Sequence, residues 1–229
     1  MLIKKAQTDG SYTATEQDLA LINQYALTPL KPEEVYVFPV KLCDNAVDRD
    51  SECFPHATLE QLAALYVGKP GIFDHCWSAF GQTARLFRAE VMDDASVSPN
   101  PSTGEPYAYL RGYAYIIRTK GTEETIQQIE GGILKEVSVG CRCEETVCSV
   151  CGKSLYDGSC PHRRGQEYDG KVCVGLLKNA TDAYEWSFVA VPAQPKAGTT
   201  KGSKAGEPPA EDNALADMEN ILNFEKLRR

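Results

Sequence analysis

The chain has 229 residues, with 24 Lys and Arg against 32 Asp and Glu and a formal charge of −8. That length supports one substantial core with some chain to spare, and the charge gives no electrostatic reason to expect nucleic acid or an anionic membrane as partner. No apolar run reaches membrane-spanning length, and the opening MLIKKAQTDGSYTATEQ lacks an apolar h-region, so no signal peptide is expected.

Residues 15–27 predict a first helix, with Thr15 as cap, Asp18 at N3, Leu19, Ile22 and Ala26 on one face, and Pro29 ending the pattern. Residues 34–42 (EVYVFPVKL) predict a strand whose Pro39 argues for an edge or a bulge. The acidic loop after it carries Asp44, Asp48, Asp50 and Glu52 but lacks the glycine and closing glutamate of a calcium loop, and reads as solvated. Thr58-x-x-Gln61 predicts a capping box opening a second helix that Gly68 closes. The turn at 68–71 then leads into a short apolar run that delivers His75.

Strands are predicted at about 83–92 and 106–117. In the second, tyrosines and Arg111 alternate with Ala108, Leu110, Gly112 and Ala114. A third helix, 122–130, is expected with Thr122 as its cap. Its closing Gly131-Gly132 hands the chain to GILKEVSVGCR. Read as a strand, that stretch puts Val137, Val139 and Cys141 on one face and Glu136, Ser138, Gly140 and Arg142 on the other. Ser138 is then a lone hydroxyl beside a glycine that leaves room for another backbone or a substrate. YEWSFVAVP (184–192) reads as the last strand, with Tyr184, Trp186 and Phe188 facing one way and Glu185 and Ser187 the other. From Gln194 the composition turns small, polar and proline-bearing. Residues 214–228 form an amphipathic segment suited to docking on its own domain or on a partner.

Nine cysteines in a chain without an export signal are expected to be mostly reduced, so clustered ones read as metal ligands. Residues 141–173 are read as a cysteine-rich insert. Cys148-Ser-Val-Cys151-Gly-Lys has the form of a zinc knuckle, and Cys160-Pro-His162 supplies a second pair. Together Cys148, Cys151, Cys160 and His162 make a closed Cys3His set for a structural Zn2+, with Cys141, Cys143 or Cys173 able to replace a member. Four available ligands favour a structural ion over a catalytic one, which needs an open position.

Of three histidines, His162 falls in that set and His56 reads as surface, leaving His75. The order of motifs runs from G-K-x-G-x-x-x-H to a tyrosine-rich strand pair, then a helix with Gly-Gly, L-K-E-V-S-V-G and E-x-S-x-V-x-x-P-A-x-P-x-A. Over about residues 34–198 this resembles the tailed-phage prohead (capsid maturation) proteases, relatives of herpesvirus assemblin.

The resemblance implies an α+β, mainly β fold: a mostly antiparallel barrel wrapped by helices, here with a zinc-knuckle insert. With the composition and periodicity above, this sets the expected organisation: a helical extension at 1–30, the protease domain at 31–198, a linker at 199–213 and a C-terminal amphipathic helix at 214–229. It also implies a serine endopeptidase that trims scaffold and major capsid protein, and itself, inside the immature capsid in the host cytoplasm, with a homo-oligomer left open. Matched by motif, Ser138 is the nucleophile and His75 the general base. Glu185 is the candidate third member, with Asp182 and Asp74 in reserve.

A serine hydroxyl needs an imidazole to take its proton, and the imidazole needs an acceptor to fix its tautomer. Oxyanion donors are expected among the N–H groups near Val139 and Gly140, or Arg142. A histidine base, ordinarily titrating near pH ~6.5, predicts activity that rises from acid to neutral pH. The competing expectations are an inactive zinc-stapled assembly factor that binds scaffold or capsid protein, and a zinc-dependent hydrolase. Cys76 is a poorer nucleophile, because as a strand neighbour it would point away from His75. Self-cleavage is expected between about residues 195 and 213.

Overall fold

The structure, a computed structural model, describes residues 12–200; residues 1–11 and the amphipathic segment 214–228 lie outside the described residues. In chain order come α1 (Glu16–Ile22), β1 (Val35–Asp44), β2 (Glu52–Cys53), α2 (His56–Tyr66), β3 (Pro70–Phe73), β4 (Ala84–Asp93) and β5 (Ala108–Ile117). Then follow α3 (Glu123–Glu130), β6 (Val137–Cys148), β7 (Glu167–Tyr168), β8 (Lys171–Val172), β9 (Gly175–Phe188) and β10 (Gly198–Thr199). None of these helices is long and apolar enough to cross a membrane.

Among the described residues the protein is mainly β. Eight strands form one sheet in the order β10-β1-β5-β4-β3-β9-β2, with β6 also paired to β9, and β7 and β8 form a small hairpin. The sheet is mixed, because β2 and β3 both run parallel to β9. It is not closed into a barrel. Ahead of β6, an isolated bridge joins Glu136 to Gly198, and Thr199 N–H donates to Lys135 O at 2.8 Å. With two residues, β10 is too short to turn this contact into a ladder.

Alternation along β5 divides the packing into two layers. Ala108, Leu110, Ala114 and Ile116 join Phe38, Val40, Leu42, Trp186 and Phe188 in the main core. Tyr113 and Tyr115 point the other way and pack with Phe87, Val35, Val37 and Ile22 of α1. The first helix therefore belongs to the folded domain. Full burial of a side chain as large as those in the core contributes about 1.5–3 kcal/mol.

Thr15 caps α1 as predicted, and Asp18 completes a capping box: Asp18 N–H donates to Thr15 Oγ1 at 3.1 Å, and Thr15 N–H donates to Asp18 Oδ2 at 3.0 Å. The helix stops at Ile22, short of the predicted end. Asn23 then folds the chain back by binding both the N–H and the carbonyl of Leu30. The other two predicted caps are not used. Thr58 lies inside α2, where its hydroxyl donates to Leu177 O at 2.9 Å and Gln61 accepts from Ala180 N–H. Thr122 precedes α3, but its hydroxyl donates to Ile117 O. For Thr58 a long-range carbonyl outcompetes the local N–H; for Thr122 it is the carbonyl of Ile117, at the end of β5 five residues back.

Two further expectations change. The long β6–β9 ladder runs through Cys148, so Cys141 and Cys143 are strand residues and not part of the cysteine insert. Of the acidic loop, Asp44 is buried, accepting from Tyr107 OH at 2.8 Å, and Glu52 pairs with Arg164. These carboxylates are engaged within the protein and not simply solvated.

Candidate functional site

The candidate site is organised on β9. On one side β3 pairs with it in parallel, with Ile72 opposite Ser187 and Phe73 opposite Phe188. On the other side β6 pairs antiparallel, setting Ser138 opposite Ser187, Val139 opposite Trp186 and Gly140 opposite Glu185. Directly paired residues point to the same face of a sheet. Trp186, Phe188 and Val137 go to the core, and Glu185, Ser187, Ser138 and Gly140 share the opposite face.

His75 reaches this face through a sharp turn after β3. Asp74 and His75 both have left-handed backbone, with φ of 50° and 52°, a conformation costly for residues other than glycine and common at functional sites. The turn is held by Asp74 N–H donating to Phe188 O at 3.0 Å and by His75 N–H donating to Ser187 Oγ at 3.1 Å. It carries the imidazole over β9.

There His75 Nδ1 lies 2.8 Å from Glu185 Oε1, and Ser187 Oγ donates to Glu185 Oε2 at 2.6 Å. A carboxylate only accepts, so Nδ1 carries the proton and Nε2 is left as an acceptor. Glu185 is 3% exposed, while the His75 side chain is 42% exposed. A buried carboxylate thus orients an imidazole that is itself open to solvent. Gly140 is part of the arrangement, because a Cβ there would overlap Glu185 Oε1. The space expected beside Ser138 for a substrate is taken by this carboxylate.

Of the reserve acids, Asp182 pairs with Lys69 at 3.4 Å, and Asp74 contributes only its backbone N–H. His56 bonds Asp93 at the surface. Ser138 is half-buried, and its hydroxyl makes no hydrogen bond among the described residues; none joins it to His75. Sequence reasoning missed Ser187. Its placement two residues from Glu185 on the same strand face was the available signal.

The ladder also sorts the oxyanion candidates. Val137 N–H donates away from β9, to Ala197 O at 3.4 Å. By the alternation of an antiparallel strand, Val139 N–H points to the same open side and Gly140 N–H toward β9. Arg142 is exposed and pairs with Asp182 in the ladder. Val139 is therefore the donor best placed beside Ser138.

No family model, no curated protein and no solved structure matches this chain. Its chemistry rests on the geometry alone.

A second cluster lies at the other end of β6. Cys148, Cys151, Cys160 and His162 each offer a donor atom, all within 4.8 Å of one another. Cys151 and Cys160 sulfurs are 3.5 Å apart, and His162 Nδ1 lies 3.5 Å from Cys148 and 3.7 Å from Cys160. A tetrahedral ion with bonds of about 2.3 Å to sulfur needs donors roughly 3.8 Å apart, so this set can hold a metal ion. Cys173 lies 3.6 Å from Cys148 and is a neighbouring fifth donor. Burial pushes the Cys148 thiol up, but the N–H groups of Cys151 and Val150 and the thiols around it bring it below the ordinary value. Cys141 and Cys143 stand apart, both within β6 and outside the cluster.

Ten residues of extended β6 separate Cys148 from Ser138, about 30 Å at strand rise. The cluster and the serine are distinct sites.

Proposed function

We propose that the protein is a serine endopeptidase of the prohead-maturation type, cutting scaffold and capsid protein and itself inside an immature phage capsid. The observation that carries this reading is the His75–Glu185 pair. Its buried carboxylate fixes the Nδ1–H tautomer and leaves Nε2 free on the face that Ser138 shares.

In the reaction Ser138 Oγ attacks the scissile carbonyl carbon while Nε2 takes its proton. The oxyanion forms beside Val139 N–H, and the imidazolium, steadied by Glu185, returns the proton to the leaving amine. Water then attacks the acyl-enzyme with His75 again as base, releasing the acid and free Ser138. Ser187 holds Glu185 and is a positioning residue.

On this reading the sheet is an assemblin-like barrel left unsealed at β10, a view supported by the Glu136–Gly198 bridge. The ion in the Cys3His cluster is a structural Zn2+. Its four ligands all fall between residues 148 and 162, so it holds the insert's own turns together; the 48–53 loop is tied on separately, by Gly175 N–H at Ser51 O and Arg164 at Glu52.

The deciding experiment incubates wild type and Ser138→Ala with the neighbouring scaffold and capsid proteins and follows cleavage on a gel. Wild type should cut and Ser138→Ala should not; full-rate processing by Ser138→Ala overturns the reading. The missing His75–Ser138 hydrogen bond favours a second reading, an inactive assembly factor. Its signature is intact substrate in stable complex with wild type.

A further inference from the structure

Next to the His75–Glu185 pair the surface opens into a concavity of about 360 Å³, at the small end of the range for ligand sites, roughly 300–1,000 Å³. We infer that this concavity is the side-chain subsite of the protease, and that it takes a neutral apolar residue of an extended polypeptide substrate, of the Leu, Ile, Met or Phe class. The inference rests on the endopeptidase reading of the adjoining site.

The lining is apolar where it counts: Pro70, Ile72 and Ala183 with Trp77 and Tyr184. The two aromatic rings stand 5.5 Å apart at 54°, and Trp77 is 71% exposed. An indole held this open beside a concave apolar surface marks a binding site rather than a core.

Tyr184 is there because of a bulge. Gly140 pairs with Glu185 and Cys141 with Ala183, so Tyr184 has no partner in the ladder. The strand period would send Tyr184 to the core with Trp186. The bulge turns it out toward Trp77 instead, as bulges beside active sites often re-aim a side chain.

Charge also points to a neutral occupant. Glu185 lines the concavity, but both its oxygens are engaged by His75 and Ser187. Lys69 at the edge is paired with Asp182 at 3.4 Å. Lys69 is thus held by a counter-charge and both Glu185 oxygens are already taken by hydrogen bonds, so neither group is free to grip a basic or acidic side chain. Because Trp77 lies two residues beyond His75 and Tyr184 beside Glu185, an occupant is held next to the catalytic base.

The test digests a proteome-derived peptide library with the full-length protein and sequences the new termini. Wild type should show one position beside the cut enriched about tenfold or more in apolar residues, and Trp77→Ala should lose that enrichment. No apolar preference in wild type, or the same preference in Trp77→Ala, overturns the inference. A second arm does not depend on cleavage. In Ser138→Ala, the exposed indole of Trp77 is followed by NMR with millimolar capped Ala-Leu-Ala or Ala-Gly-Ala. A shift with the leucine peptide alone supports the subsite even if wild type cuts nothing, and no shift overturns it.

Discussion

The imidazole of His75 and the carboxylate of Glu185 meet at 2.8 Å although 110 residues separate them in sequence. Two parallel strands, β3 and β9, bring them together. Replacing Glu185 with Gln keeps the volume but loses the negative charge that fixes the tautomer. Peptide hydrolysis should fall by about 10²–10⁴ in kcat/KM, with circular dichroism unchanged. Ser187→Ala should cost less, roughly tenfold, because the carboxylate keeps its contact with His75.

Gly140→Ala tests the same carboxylate from the facing strand. The added methyl overlaps Glu185 Oε1, so either the strands part or the carboxylate leaves His75. Activity should drop to near that of Glu185→Gln, with a loss of about 1–3 kcal/mol in urea unfolding, as for overpacking elsewhere. Normal activity in a fully stable Gly140→Ala protein would contradict the geometry.

One metal ion per chain should bind at Cys148, Cys151, Cys160 and His162, measurable by elemental analysis of purified protein. Stripping it with a chelator should lower the melting temperature and release amide protection first between residues 149 and 174, since binding an ion contributes folding free energy directly. Cys160→Ser should do the same. A catalytic ion would instead abolish activity with the insert still protected.

Asp18 makes stability depend on acid pH. Burial acts to raise its carboxyl, but bonds from Tyr12 and Thr15 and the nearby Arg88 outweigh this and hold it below the usual 3.8. The unfolded chain therefore binds this proton more readily than the folded one. The contribution is complete above the usual aspartate range and is lost as pH falls through the depressed folded value. Asp18→Ala should remove about 1 kcal/mol at neutral pH, and its urea midpoint should fall less than wild type's between neutral pH and pH ~3.

Self-cleavage should fall after residue 200. The sequence alone allowed 195–213, but Ala197 is buried, β10 pairs with β1, and Thr200 N–H donates to Pro39 O at 3.1 Å. Cutting there would require pulling β10 from the sheet. Mass spectrometry of active protein should find termini between 201 and 213, and an intact C-terminus in fully active material would reject the idea.

Local pattern was enough for Thr15 as the α1 cap with Asp18 at N3, the alternating core of β5, the inward face of Val137 and Val139, and the Cys148–Cys151 pair with its glycine. Each depends on spacings of two to four residues, which strand pleat, helix pitch and metal-ligand turns impose directly. The Cys160–His162 pair was legible for the same reason. Pairing decided the rest. Thr58 looks like a cap until the distant carbonyl of Leu177 takes its hydroxyl, and Tyr184 looks like core until a bulge against Cys141 turns it outward. The choice of Glu185 over Asp182 and Asp74, and the role of Ser187, follow from how β3, β6 and β9 register against one another. Register is a relation between strands far apart in the chain. A one-residue slip sends every side chain to the other face, so no single stretch of the sequence could show which carboxylate the imidazole would meet.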